Sequence, residues 1–342
     1  KHLLLPEKLP PPTELLDLAP LPVSVFKEDG YETLYPTFKT FNPIQTQVFQ
    51  HMYNSDDNAL VGAPTGSGKT ACCEFAILRV LKKISSGDAP VNAKVVYIAP
   101  TSDIARERVL DWRVRFGKGL GVKVVSLTGE TSVDLKLLAD GTMVVATPHQ
   151  WDVLSRRWKQ RKAVHAVVLF IADELHLIGG ANGPTMEVVT SRMRYISSQL
   201  DTPIRVVGLC TSLANAKDLG DWIGAGQNGL FNFPPGVRPV PLDIHIQGVD
   251  IVNFEARMQA MARPTYGAIC QHAPNGEPAI VFVPTRKHAK LASLDLLTFA
   301  AADGSPHKFL KCDLGDIAPH CERITDPAVR HALQFGVALM HE

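Results

Sequence analysis

One stretch of this chain has the residue types and spacing needed to hold a polyphosphate. It consists of Ala63, Pro64, Thr65, Gly66, Ser67, Gly68, Lys69 and Thr70. Glycine at 66 and 68 lets backbone N–H groups approach phosphate oxygens, because a side chain there would collide or forbid the required φ. We expect Lys69 to hold the β and γ phosphates and the Thr70 hydroxyl to bind Mg²⁺. Alanine replaces the usual first glycine of G-x-x-x-x-G-K-T, and the pattern still predicts a nucleoside triphosphate site.

A second polar group, Asp173-Glu174-Leu175-His176, follows the apolar run Val167–Ala172. A carboxylate at the carboxyl end of a buried strand beside a phosphate loop is placed to bind Mg²⁺, which we expect of Asp173. Glu174 is expected to orient or deprotonate the attacking water, and His176 to link the nucleotide state to a second domain. Asp-Glu after a strand is by itself often a solvated loop. Together with the glycine loop, the pair predicts an ATP-hydrolysis site that uses ATP and Mg²⁺.

Gln45, in the segment Phe41-Asn42-Pro43-Ile44-Gln45, lies upstream of the glycine loop. Its amide can donate to and accept from one adenine edge at once, which would select ATP over GTP. The alternative is a plain helix N-terminus with a proline at its start, and the sequence leaves both interpretations open.

Three strand-end pairs predict contacts to a sugar–phosphate backbone: Pro100-Thr101, Thr147-Pro148 and Thr285-Arg286. Threonine hydroxyls and free backbone N–H groups at such edges suit phosphates and carry no base information. A lone Thr-Pro is usually only a turn, but the repetition favours RNA binding. The basic run Ser155–Lys162 could also bind RNA or an acidic partner, although a solvated helix face is the preferred interpretation.

The composition indicates an ordinary α/β protein rather than a basic nucleic-acid binder. The chain has 342 residues, 45% hydrophobic and 20% charged, with a net charge of +1. That charge excludes binding by bulk electrostatics but not a local basic groove. Its six cysteines have no C-x-x-C spacing, so neither a zinc site nor a disulfide framework is expected, and a reduced compartment fits best. No apolar run reaches the length of a membrane span, and no signal peptide or membrane partner is expected.

Apolar runs alternate with helical patterns from residue 41 onward, which predicts doubly wound parallel sheets. The predicted strands of the first domain are Ala59–Val61, Lys94–Ala99, Val122–Leu127, Thr142–Ala146, Val167–Ala172 and Ile204–Leu209. The predicted helices are Ala71–Leu81, Asp103–Phe116, Asp134–Leu138 and Met186–Gln199.

The predicted organisation is a proline-rich N-terminal strap over 1–40, a first domain over 41–235 and a second over 236–342. The second has expected strands at Leu242–Gln247 and Ala279–Val283 and a helix at Ala289–Phe299. It has fewer βα units than the first, so we expect an incomplete domain in a piece of a larger protein.

The order of these motifs resembles the Ski-like group of superfamily 2 helicases, and within it the large U5 snRNP helicases of the spliceosome. The match extends beyond the motifs already described. It includes Ala99-Pro100-Thr101, Thr128-Gly129-Glu130, Leu154–Lys162, His176–Gly180, Val237–Leu242 and Val281–Arg286. The second cassette of the related activating signal cointegrator helicase is the nearest competitor. The resemblance implies tandem RecA-like P-loop domains.

That family has two helicase cassettes in tandem, and this chain is similar to the C-terminal one. By resemblance, the N-terminal cassette unwinds U4/U6 small nuclear RNA, while the C-terminal one binds ATP, regulates its partner cassette and docks proteins. The implied partners are RNA, the N-terminal cassette and U5 proteins including the large scaffold protein, in the nucleus.

Two departures from active relatives favour a regulatory cassette over a second motor. The Ser-Ala-Thr of motif III reads Cys210-Thr211-Ser212, and His-His-Ala-Gly becomes Met340-His341-Glu342. No Gln-x-x-Gly-Arg-x-Gly-Arg arginine-finger motif occurs, so efficient hydrolysis is not expected of these residues alone. The retained Glu174 argues for an active ATP-dependent motor, which stays open as the alternative.

Overall fold

The structure is a computed structural model, and it describes residues 13–181, 183–201 and 203–340. The chain divides into two compact units, Lys1–Leu242 and Asp243–Glu342. The boundary predicted from the sequence, between residues 235 and 236, lies a few residues before the one in the structure. The two units are described separately below.

A seven-stranded parallel sheet forms the centre of the first unit, in the order β3-β4-β2-β5-β6-β1-β7. Its strands are β1 (Ala59–Gly62), β2 (Lys94–Ile98), β3 (Val124–Ser126), β4 (Met143–Ala146), β5 (Val167–Ala172), β6 (Arg205–Cys210) and β7 (Leu230–Asn232). The predicted doubly wound α/β class is confirmed. The short β7 was missed because its three residues are only half-buried and lack the apolar run of the other strands.

In the described part of the first unit, eight α-helices accompany these strands: the first precedes β1, and the other seven lie between successive strands. They are α1 (Pro43–Asn54), α2 (Lys69–Ser86), α3 (Ser102–Trp112), α4 (Thr131–Asp140), α5 (Pro148–Ser155), α6 (Lys162–His165), α7 (Gly183–Gln199) and α8 (Ala216–Ile223). A π-helical segment, Arg113–Lys118, continues α3. Alternate residues of β2 belong to different hydrophobic clusters: Tyr97 lies in one and Ile98 in the other. Because successive strand side chains point to opposite faces, each face of the sheet has its own core.

Part of the predicted proline-rich strap belongs to the first core. Residues 1–12 lie outside the described part, whereas 13–40 include short 3₁₀ helices at Val23–Phe26 and Glu32–Leu34. The ring of Phe26 is fully buried and packs edge-on against Phe41, with centroids 6.0 Å apart. The Thr13 N–H donates to the carbonyl of Asn232 on β7 at 2.7 Å. This segment therefore stabilises the first unit by burial and not only by lying on its surface.

The described residues of the second unit form four helices: α9 (Phe254–His272), α10 (Arg286–Ala302), α11 (Leu314–Arg323) and α12 (Pro327–Gln334). The helix predicted at Ala289–Phe299 is confirmed within α10. The strands predicted at Leu242–Gln247 and Ala279–Val283 are wrong, because neither segment pairs with a strand neighbour. Their apolar side chains are mostly uncovered, with Ile246 91% and Phe282 92% exposed. Hydrophobicity alone does not make a strand without a hydrogen-bonded partner.

None of the helices in the described part of the chain combines the length and apolarity needed to cross a bilayer.

Candidate nucleotide-binding site

The glycine loop connects the carboxyl end of β1 to the first turn of α2, as its sequence predicted. Gly66 has φ +83° and Gly68 has φ +78°, in the left-handed region that glycine enters without steric cost. Between them, the Ser67 side chain is fully buried, and its Oγ has no hydrogen-bond partner in the described structure. A buried, unpartnered hydroxyl beside free helix N–H groups suits a polar ligand such as phosphate.

Lys69 is the buried first residue of α2, and its side chain reaches back over the loop. Its Nζ donates to the carbonyls of Ala63 at 3.0 Å and Pro64 at 3.3 Å. No carboxylate within salt-bridge distance pairs with it in the described residues. The ammonium is therefore held by neutral acceptors in the loop, and no carboxylate competes with an anion for it.

The N-terminus of α1 packs directly on the glycine loop. Asn42 and Gln45 form a reciprocal capping box, in which Asn42 Oδ1 accepts from the Gln45 N–H at 2.9 Å and Gln45 Oε1 accepts from the Asn42 N–H at 3.0 Å. Gln45 Nε2 also donates to the Gly68 carbonyl at 3.1 Å, and Asn42 Nδ2 donates to the Ser67 carbonyl at 2.8 Å. The helix-cap interpretation of Gln45 therefore holds, and its adenine contact stays a prediction. Sequence reasoning missed Asn42, although N-P-I-Q carries the spacing of a capping box.

Asp173 lies at the carboxyl end of β5 and is buried. Its Oδ1 accepts from the Glu174 N–H at 2.9 Å, and its Oδ2 accepts from the hydroxyl of Tyr97 on the neighbouring β2. Both carboxylate oxygens are thus fixed by donors, which orients the group rigidly at the strand end. This is the position that the sequence assigned to the magnesium-binding carboxylate.

Glu174 is the one non-glycine residue with positive φ in the described structure, at φ +50° and ψ +43°. Such a conformation costs roughly 1 kcal/mol or more for a residue with a Cβ, and strain of this kind concentrates at functional sites. The turn brings Glu174 Oε2 within 3.4 Å of His176 Nδ1. The Thr211 N–H, just after β6, donates to the same Nδ1 at 3.3 Å. A nitrogen that accepts from Thr211 cannot also donate to Glu174, so the contact with Glu174 is one of proximity. His176 places the Asp173-Glu174 turn beside the end of β6 within the first unit, and its predicted link to a second domain stays a prediction.

Tyr97 is a second site residue that sequence reasoning missed. It is fully buried on β2, with Trp112 packed edge-on at 5.0 Å between ring centroids. Burial, reinforced by the charge of Asp173, raises the pKa of the Tyr97 hydroxyl well above its usual range. The hydroxyl thus stays protonated and donates to Asp173. A single tyrosine among the aliphatic residues that follow Lys94 in this strand was the available signal.

The first two threonine pairs lie at adjacent strand ends. Thr101 follows β2, Thr147 follows β4, and these parallel strands are neighbours in the sheet. Each threonine caps the following helix: Thr101 Oγ1 accepts from the Ile104 N–H at 3.4 Å, and Thr147 forms a capping box with Gln150. Thr101 is exposed and Pro100 is half-buried, but Pro148 is buried as the first residue of α5.

A third loop joins this edge. Thr128 and Gly129 follow β3, which neighbours β4, and the Asp134 carboxylate accepts from the N–H groups of both at 2.7 and 2.9 Å. Thr285 caps α10 in the second unit, where its Oγ1 accepts from the His288 N–H at 3.2 Å, and Arg286 is the first residue of that helix. RNA contact by these residues stays a prediction.

Comparison with known proteins identifies the group to which this site belongs. The family described as DEAD/DEAH box helicase matches residues 42–219, more than half of the chain and the whole of the site. The chain belongs to the DEAD/DEAH box helicase family. The predicted resemblance to superfamily 2 helicases is confirmed by this match.

Among curated DExH helicases, the Arabidopsis thaliana "DExH-box ATP-dependent RNA helicase DExH12" is 60% identical over 345 residues. The Homo sapiens "U5 small nuclear ribonucleoprotein 200 kDa helicase" is 54% identical over 343 residues. The Gallus gallus "Activating signal cointegrator 1 complex subunit 3" is 46% identical over 341 residues. Each alignment covers 100% of this chain but only 15–16% of the relative. The chain thus spans about a sixth of the length of the helicases that it matches.

Solved structures support the same fold. The DUF1998 helicase MrfA bound to DNA and AMPPNP has a TM-score of 0.55 at 17% identity, covering 88% of this chain and 40% of that one. At this identity the likeness concerns the helicase fold alone.

Proposed function

We propose that this chain is the ATP·Mg²⁺-binding part of a DExH-type RNA helicase cassette of the spliceosome, and that the cassette is regulatory and catalytically weak. The observation that carries ATP binding is the glycine loop, with its two left-handed glycines and the unpaired ammonium of Lys69. The buried Asp173 at the end of β5 in the same sheet supplies the metal-binding carboxylate.

The residues present fit ATP and Mg²⁺. The orphaned Ser67 hydroxyl and the N-terminus of α2, which has no side-chain cap, provide donors for phosphate oxygens. Thr70 and Asp173 would hold the ion, which neutralises phosphate charge when bound. Lys69 would exchange its two carbonyl acceptors for phosphate oxygens. Glu174, held beside His176, would orient a water for attack.

The regulatory role is supported by Cys210-Thr211-Ser212, which replaces the usual Ser-Ala-Thr at the end of β6. The Met340-His341-Glu342 departure adds to this, although His341 and Glu342 lie outside the described residues. The competing function is an active RNA-dependent ATPase motor. It is favoured by the retained Glu174, a water-activating carboxylate that a purely structural cassette does not need.

The wider role rests on sequence identity. The 54% identity to the human U5 helicase exceeds the 46% to the signal cointegrator subunit, which favours the spliceosomal assignment. We extend to this chain a role in U4/U6 unwinding through the whole helicase, contact with an N-terminal cassette and with U5 proteins including the large scaffold protein, and a nuclear location.

Two measurements test this function. Calorimetric ATP binding to the chain, with Lys69→Ala as the matched control, is expected to give binding that the variant loses. Equal affinity of both proteins would contradict the assignment of the loop. RNA-stimulated ATP turnover is then measured in a protein extended to the length of its relatives, with Lys69→Ala and Glu174→Gln in this cassette. Turnover attributable to Glu174 would replace the regulatory role with the motor.

A further inference from the structure

Arg238 lies beside the glycine loop although it is 172 residues away in sequence from Gly66. It belongs to Val237–Leu242, the segment that closes the first unit and that the proposed mechanism leaves unused. A Cβ built on Gly66 would lie 3.4 Å from Arg238 Nη2, 3.5 Å from Nε and 3.9 Å from Cζ. The Nε–Nη2 edge of the guanidinium therefore faces the loop.

The facing edge has no acceptor. Arg238 Nε is buried and lacks a hydrogen-bond partner among the described residues, and no carboxylate there pairs with the guanidinium. Partly buried arginines of the same unit have acceptors of two kinds: Arg115 and Arg192 pair with the carboxylates of Glu74 and Asp152, and Arg205 donates to three backbone carbonyls. Leaving a buried N–H of a charged group without an acceptor is unfavourable, so an anion is the expected partner.

Phosphate is the anion that this geometry fits. The Nε and Nη2 donors of one guanidinium edge bind two oxygens of a single phosphate in parallel. The orphaned hydroxyl of Ser67, adjacent to Gly66, is a second buried donor at the same place. Glycine at 66 is needed for its φ of +83°, and the distances show that the guanidinium lies at van der Waals distance from this turn of the loop.

We propose that Arg238 is a polyphosphate-binding residue of this site and that it ties the Val237–Leu242 segment to the bound nucleotide. The inference rests on the proposed ATP binding and adds a phosphate contact supplied by the end of the first unit itself. Nucleotide binding then orders the segment that leads out of that unit, and loss of the phosphate releases it.

The test compares Arg238→Gln, Arg238→Lys and the control Arg106→Gln, which removes an exposed arginine paired with Asp103. Affinities for ATP and AMP with Mg²⁺ are measured by calorimetry on the whole chain. Arg238→Gln is expected to weaken ATP about tenfold or more and AMP much less, because a charge-assisted contact to the outer phosphates is lost. Arg238→Lys is expected to fall between, since it keeps the charge but not the bidentate edge. The control keeps wild-type affinity.

A second readout separates phosphate contact from a structural role. Hydrogen exchange of residues 236–242 is expected to slow on ATP addition in the wild-type chain but not in Arg238→Gln, with unchanged thermal midpoints. Unchanged ATP affinity in Arg238→Gln overturns the inference, and so does an equal loss for ATP and AMP, which would indicate contact with a part of the nucleotide that both share and not with the outer phosphates. If wild type and Lys69→Ala bind ATP equally, the proposed function fails first. If Lys69→Ala loses ATP binding while Arg238→Gln binds like the wild type, the proposed function stands and only the inference about Arg238 fails.

Discussion

Replacing Tyr97 with phenylalanine tests whether the hydroxyl positions the magnesium-binding carboxylate. The change removes one O–H from a fully buried ring and leaves Asp173 Oδ2 without its donor, while the Glu174 N–H still binds Oδ1 at 2.9 Å. A hydrogen bond to a charged acceptor contributes about 1.5–3 kcal/mol to stability. We therefore expect the free energy of unfolding to fall by about 2 kcal/mol.

The functional consequence is measured as the effect of Mg²⁺ on the affinity for ATP. With only one oxygen fixed, Asp173 samples orientations that cannot face the ion, and about 1 kcal/mol of lost ordering corresponds to about fivefold in affinity. ATP affinity is measured by calorimetry with and without Mg²⁺. The factor by which Mg²⁺ strengthens ATP binding is expected to fall about fivefold in Tyr97→Phe, while metal-free ATP binding is unchanged.

Tyr53→Phe is the matched control, because it removes the same O–H from a buried tyrosine whose hydroxyl donates to Asp29 at 2.5 Å. It should lower stability comparably without altering the magnesium effect. An unchanged magnesium effect in Tyr97→Phe, or an equal decrease in both variants, would refute the positioning role.

Further predictions concern the core of the first unit. Arg115→Met leaves the buried Glu74 carboxylate without its cation, so the free energy of unfolding measured in urea should fall by about 3–5 kcal/mol. The control Arg106→Met removes an exposed arginine and should be near neutral. Similar losses in the two variants would contradict a buried ion pair. Burial raises the pKa of the Cys72 and Cys210 thiols from 9.0 to about 12. Because the folded-state pKa is the higher one, their stabilisation is complete below pH 9 and is lost toward pH 12. The urea midpoint should therefore fall over that range, and less steeply in the double alanine variant.

The local parts of the site could be predicted because they depend on neighbouring residues. Glycine spacing set the left-handed loop, the apolar run before Asp173 set a buried strand, and Thr101 and Thr147 occur where helices need caps. Each of these depends on backbone sterics or hydrogen bonds within a few residues.

Contacts between distant segments were decided only by the tertiary structure. Tyr97 reaches Asp173 across 76 residues because β2 and β5 are neighbours, and Arg238 reaches Gly66 because the chain returns to the loop after β7. The second unit gives the converse case, where apolar residues 279–283 were expected to form a strand but have no partner strand. Strand order and pairing depend on which surfaces meet, and residue type and spacing along a segment do not encode that.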